Sequence, residues 1–274
     1  MSDMRIAPDS TTSDAASNAD PARTAGRLVD NGPGLRPEPR IWRRPDIAIP
    51  LVLLAVFVVL LAFVMARPTV LTHFDGWVRD RVQSAAHSPD DNKTHWPLIK
   101  HVADLGGTLP AIPVMAVVAT AAALLRHSWR PMLAALAAYA VLGGAVLGLK
   151  ANVGRPGPGQ SVKIHGGLGY FPSGHTANTL MCYGTCALLL AGGLTGELVG
   201  RRARRAIAAA MTLLALGIGF SLVWLDYHWL SDVIGSYTLC GAALFGVAGI
   251  LGIRPVPRSS SGRGTEPGSP ASLA

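Results

Sequence analysis

The chain alternates long apolar stretches with short clusters of charge. Six stretches contain no Asp, Glu, Lys or Arg: 47–66, 105–125, 131–149, 176–196, 206–225 and 233–253. Each is about 19 to 21 residues long and consists mostly of Ala, Leu, Val and Gly. At about 1.5 Å of rise per residue, a helix of that length crosses a hydrocarbon core of about 30 Å. One such run can be a buried core helix. Six, joined by short charged loops, predict an all-α polytopic membrane protein with six transmembrane helices. Gly and Ala within the runs suit close helix contact in lipid. Segment 71–85 is different: Leu71, Phe74, Val78 and Val82 recur at helical spacing among polar residues. That pattern predicts a short amphipathic helix, either lying on the outer surface or packed within the loop.

The basic residues set an orientation. Arg36, Arg40, Arg43 and Arg44 precede the first run, and Arg126 and Arg130 flank the second connection. Arg201, Arg202, Arg204 and Arg205 fill the fourth connection, and Arg254, Arg258 and Arg263 follow the last run. These segments fall on one side, predicted to be cytoplasmic together with both termini. Segments 67–104, 150–175 and 226–232 fall on the other, where acidic residues nearly balance the cations. The polar, Ser- and Pro-rich ends predict disordered cytoplasmic tails at 1–44 and 254–274, around a membrane domain at 45–253.

Composition agrees. Half of the residues are hydrophobic and only 15% are charged, against about 25% in soluble domains. The net charge of +8 then reflects membrane orientation and gives no reason to expect nucleic acid as a partner. Cys182, Cys186 and Cys240 all lie in apolar runs, which excludes a disulfide scaffold and a thiolate zinc site.

Ionisable residues at span ends on one side of a membrane are candidates for function. Three groups stand there, all on the predicted outer face. Lys150 and Arg155 follow the third run. Pro172-Ser173-Gly174-His175 opens the fourth. His228 and Asp232 open the sixth. Ser173 is a good N-cap, and Gly174 presents a bare backbone N–H at a helix N-terminus, an arrangement that attracts anions. His228 and Asp232 are four apart and share one helix face. A carboxylate on one imidazole nitrogen fixes the tautomer and leaves the other nitrogen free as base or nucleophile. A metal would need further ligands, and no other histidine has convincing spacing. Cations, a helix N-terminus and two histidines suit phosphoryl transfer without a metal.

The three groups together resemble the signature of the type 2 phosphatidic acid phosphatase (PAP2) superfamily: Lys-x6-Arg-Pro, Pro-Ser-Gly-His, and Ser-Arg-x5-His-x3-Asp. Pro172 to His175 match the second part in full. Ser221, His228 and Asp232 match the third at the right spacing, and Lys150 and Pro158 match the ends of the first. The resemblance implies a six-span membrane domain with an extracytoplasmic active-site cleft. It implies that His228 is the nucleophile that forms a phosphohistidine, Asp232 its orienting partner and His175 the general acid. Lys150, Ser173 and the Gly174 amide are then phosphate ligands, no cofactor is needed, and the substrate is a membrane lipid phosphate or diphosphate. Two positions depart from the pattern: the family's clamping arginines fall on Gly157 and Leu222. Arg155, two residues early, and Lys163 in the Gly-rich loop are the candidate replacements. A degenerate relative that binds a lipid phosphate or a protein partner without turnover is the competing expectation.

Overall fold

The computed structural model describes residues 45–66, 69–87, 96–160, 167–193 and 199–253. Both expected tails and Lys163 lie outside the described residues. What is described is helical, with no strand among those residues. In chain order the helices are α1 (Pro45–Ala66), α2 (Thr69–Ala86), α3 (Trp96–Leu105), α4 (Thr108–Leu125), α5 (Arg130–Val153), α6 (residues 174–191), α7 (Arg201–Trp224) and α8 (Leu230–Leu251).

Among the described residues, five helices are long and apolar enough to cross a membrane: α1, α4, α5, α7 and α8. Their outward faces carry Val52, Val58, Phe63, Leu109, Val117, Leu136, Leu213 and Phe220, all well exposed. A soluble protein would not leave so continuous an apolar surface open; lipid satisfies it. This is the fold of a polytopic membrane protein.

The fourth expected span became α6, which is helical over 174–191 and less apolar than the others. It carries His175, Thr176, Asn178, Thr179 and Thr185. Its position explains that tolerance. It packs against α4, α5, α7 and α8, and Thr176, Asn178, Thr179 and Thr185 are all buried in the bundle. Each of these polar side chains has a partner. Thr179 donates to the His175 carbonyl at 2.8 Å, and Asn178 Nδ2 to the Gly106 carbonyl at 3.0 Å. A helix enclosed by other helices needs satisfied polar groups rather than an apolar surface. The core around it is made of small residues, including Ala111, Ala119, Ala122, Ala134, Ala138, Ala177 and Cys182. These let backbones approach closely.

Two helices contain a turn of π-helix, Val141–Val146 in α5 and Thr179–Tyr183 in α6. Helix α7 starts earlier than its uncharged stretch. Arg201, Arg202, Arg204 and Arg205 form its exposed first turns, where long side chains can reach polar surroundings.

The segment expected to be a surface helix is α2, and it is only partly at the surface. Phe74 and Trp77 are exposed, but Asp75 is 2% exposed. One face of α2 carries Asp75, Arg79 and Gln83, spaced by four. All three reach the turn that joins α7 to α8: Asp75 accepts from Ser231, Arg79 pairs with Asp226, and Gln83 donates to the carbonyls of Val223 and Trp224. Those carbonyls belong to the last turn of α7, where the helical ladder ends, and the Val223 carbonyl also accepts from the Asp226 N–H at 3.2 Å.

Candidate active site

Backbone hydrogen bonds fasten together the three motif segments. Helix α5 ends on Gly154, whose left-handed backbone (φ 54°) returns its N–H to the Lys150 carbonyl. The chain from 154 onward then lies beside 169–170. Gly169 N–H donates to Lys150 O and Tyr170 N–H to Arg155 O, both at 2.9 Å. Ser173 N–H donates to Asp232 O at 3.1 Å, and Ser236 Oγ to Ser173 O at 2.7 Å. Trp229 Nε1 closes the ring by donating to Pro156 O at 2.9 Å. Residues about 80 apart in sequence thus share one end of the bundle.

His228 is presented by a tight reversal after α7. The Leu222 carbonyl accepts from both the Tyr227 and His228 N–H groups. Asp226 takes up the left-handed conformation (φ 59°) that this turn demands. His228 Nδ1 then faces Asp232 Oδ2 at 3.2 Å from the first turn of α8. The same oxygen accepts from the Trp229 N–H at 3.3 Å. This fixes the imidazole with Nδ1–H toward the carboxylate and Nε2 outward.

The other oxygen of Asp232 is held from behind. Arg155 Nη1 donates to Asp232 Oδ1 and to Ser231 Oγ, both at 2.6 Å, while Nη2 pairs with Asp75 Oδ2 at 2.6 Å. Ser231 also donates to Asp75, through both its N–H and its hydroxyl. Asp232, Asp75 and Arg155 are 0%, 2% and 8% exposed. Taking such charges out of water is costly unless each is paired and hydrogen-bonded, and here each is. The Arg155 guanidinium also lies over the Trp229 ring at 5.7 Å.

A cavity of about 270 Å³ opens on the other side of His228, lined by Pro158, Tyr170, His175, Asp226, Tyr227 and His228. The structure therefore brings the two expected imidazoles to one space. Tyr170 meets His228 edge to face, with ring centroids 5.5 Å apart. Lys150 Nζ donates to the carbonyls of Pro172 (3.2 Å) and Tyr170 (3.4 Å), directly before the Ser173 cap. Ser173 is buried, and its Oγ accepts from the N–H and the hydroxyl of Thr176. Arg155, expected to swing toward a phosphate, instead faces Asp232 and Asp75; like Lys150, Ser173 and Gly174, it does not line the cavity.

The two departures from the motif are built into the packing. A Cβ on Gly157 would fall 2.6–2.9 Å from ring atoms of Tyr170, closer than real side chains come. The Tyr170 ring occupies the space into which an arginine there would extend. Leu222 is fully buried in an apolar cluster with Ala103 and Ile218.

Sequence reasoning missed Asp75 and Arg79. In the sequence Asp75 is one of the acidic residues that balance the cations of segment 67–104. Its signal was its register: it shares the helix face of Leu71, Val78 and Val82, where a carboxylate is out of place unless it has a partner. Arg79 stands one turn on and binds Asp226 at two points, Nε–Oδ1 2.8 Å and Nη2–Oδ2 2.6 Å. That contact raises the guanidinium pKa above its ordinary value, in opposition to burial.

Comparison with known proteins agrees with the motif reading. A family model described as the PAP2 superfamily matches residues 131–253, which contain all three motif segments. The crystal structure of a transmembrane PAP2-type phosphatidylglycerolphosphate phosphatase from Bacillus subtilis superposes with a TM-score of 0.62 at 21% identity. The match covers 74% of this chain and 96% of that one. No curated protein matches.

Proposed function

We propose that this chain, whose residues 131–253 carry the PAP2-superfamily match, is a membrane phosphatase. It hydrolyses a lipid phosphate or diphosphate at the outer leaflet through a phosphohistidine. The single observation that carries the reading is the placement of His228. Its Nδ1 is engaged by buried Asp232, and its ring lines a cavity shared with His175.

The chemistry follows from that geometry. His228 Nε2 attacks phosphorus as the phosphorus–oxygen bond to the lipid breaks. His175 protonates the departing oxygen, and Asp232 stabilises the cationic imidazole. Water then attacks the phosphohistidine with His175 as base, the phosphorus–nitrogen bond breaks, and inorganic phosphate leaves. In this reading Lys150, the Gly174 amide and Ser173 stabilise the phosphoryl oxygens. Arg155 acts through Asp232. The proposed setting is a six-span domain in the cell membrane, with both termini cytoplasmic and the cavity outside.

One observation favours a second reading, a relative that binds a lipid phosphate without turning it over: neither position of the family's arginine pair has room for one. The experiment compares detergent-purified wild type with His228→Ala against phosphatidic acid, phosphatidylglycerol phosphate and an isoprenyl diphosphate, with chelator present. Phosphate release by wild type alone, with an acid-labile phosphoenzyme, supports the enzyme. Retained lipid binding with no release from any substrate supports the second reading.

A further inference from the structure

A carboxylate is an odd lining for a phosphate site. Asp226 borders the same cavity as His175 and His228, and a bound phosphate dianion would meet its charge. Like charges at such range repel strongly wherever water is partly excluded. Among the described residues, the Arg79 guanidinium is the charge that pairs with Asp226, reaching it from α2 by two hydrogen bonds. The pair is partly open, with side chains 33% and 27% exposed, so it can rearrange. Arg79 also stands at the loop that has lost its clamp. Its Nη2 lies 3.6 Å from where a Cβ on Gly159 would be, two residues beyond Gly157 and next to Pro158 of the cavity wall. Asp75, one turn earlier on α2, anchors the helix to Arg155 and Ser231, which holds Arg79 in place.

We infer that Arg79 replaces the missing phosphate clamp and that Asp226 is a built-in placeholder anion. The substrate's phosphate displaces Asp226 from the guanidinium on binding. A planar guanidinium that already holds a carboxylate by two parallel bonds can hold two phosphate oxygens in the same way. No covalent bond is made or broken in this exchange. It rests on the phosphatase reading for its importance, but the anion exchange itself is testable by binding alone.

The test measures the affinity of purified protein for inorganic phosphate by calorimetry, and KM and kcat for phosphatidic acid, in wild type, R79A, D226N and the double variant. Asparagine tolerates the left-handed conformation at 226, so D226N removes charge without straining the turn. D226N should bind phosphate more tightly, by about fivefold, with a lower KM. R79A should bind about tenfold or more weakly. The double variant distinguishes a ligand from a neutraliser. If Arg79 touches phosphate, it stays weaker than D226N by a similar factor. Equality of the double variant with D226N would overturn the proposal, as would unchanged or weaker binding in D226N, a measurement that decides the matter even if R79A does not fold. If wild type and His228→Ala both fail to turn over any substrate, the enzyme reading fails, and the phosphate affinities still judge Arg79.

Discussion

Arg155 shows how one side chain can serve a site without entering it. Its two terminal nitrogens bind carboxylates on α2 and α8, and one of those carboxylates orients His228. The Arg155→Ala variant would leave Asp75 and Asp232 buried without the guanidinium that joins them. Removing one member of a buried ion pair typically costs about 3–5 kcal/mol. We therefore expect R155A to lose phosphatase activity together with a marked fall in thermal midpoint in detergent. R155K should recover part of the stability, because it restores charge but not the fork. A phosphate clamp would behave differently, raising KM with the midpoint unchanged. Measuring both quantities on one preparation separates the two roles. The sequence could not distinguish them: Lys150 to Arg155 shows a cation near the motif but not which way it points. That direction is set by Asp75, about 80 positions away and outside every motif.

At the scale of elements, α2 is the part that pattern reading understated. Its apolar spacing suggested a helix resting on a surface, and Phe74 and Trp77 do remain exposed. The opposite face is polar and at least half-buried, and its three side chains grip the α7–α8 connection that presents His228. Gln83 is the element's mechanical contact, with Nε2 at 3.1 and 3.3 Å from the carbonyls of Trp224 and Val223. Gln83→Ala should cost about 0.5–1.5 kcal/mol, the net contribution of a typical hydrogen bond. Amide exchange should rise mainly in residues 222–232. Exchange unchanged there, or raised equally over the whole bundle, would refute a specific link between α2 and the turn. Periodicity found this helix because the half-buried Leu71, Val78 and Val82 recur at local helical spacing. Its polar partners were hidden because long-range ion pairs leave no local pattern. The apolar runs were legible for the converse reason: a lipid-facing helix must be apolar all along. Enclosed α6, freed from that demand, kept enough threonine and asparagine to read as the least hydrophobic of the expected spans.

At the scale of the whole molecule, the placement of the cavity relative to the membrane decides which pool of lipid phosphate the site can meet. Motif segments 150–158, 169–175 and 226–232 gather at one end of the bundle. The arginine-rich start of α7 lies at the other end of that helix, about 24 residues away. At about 1.5 Å per residue this is roughly 36 Å, a full hydrocarbon thickness. In the orientation proposed above from the arginine bias, Arg204 is inside the cell and the cavity outside. The native cysteines make a direct check feasible: Cys182 and Cys240 are fully buried and Cys186 nearly so, so background labelling by a membrane-impermeant maleimide should be low. Leu168→Cys sits in the exposed loop beside the cavity and should label in intact cells. Arg204→Cys should label only after the membrane is opened. The reverse pattern would turn the site to the cytoplasmic leaflet, and with it the class of lipid that can reach His228.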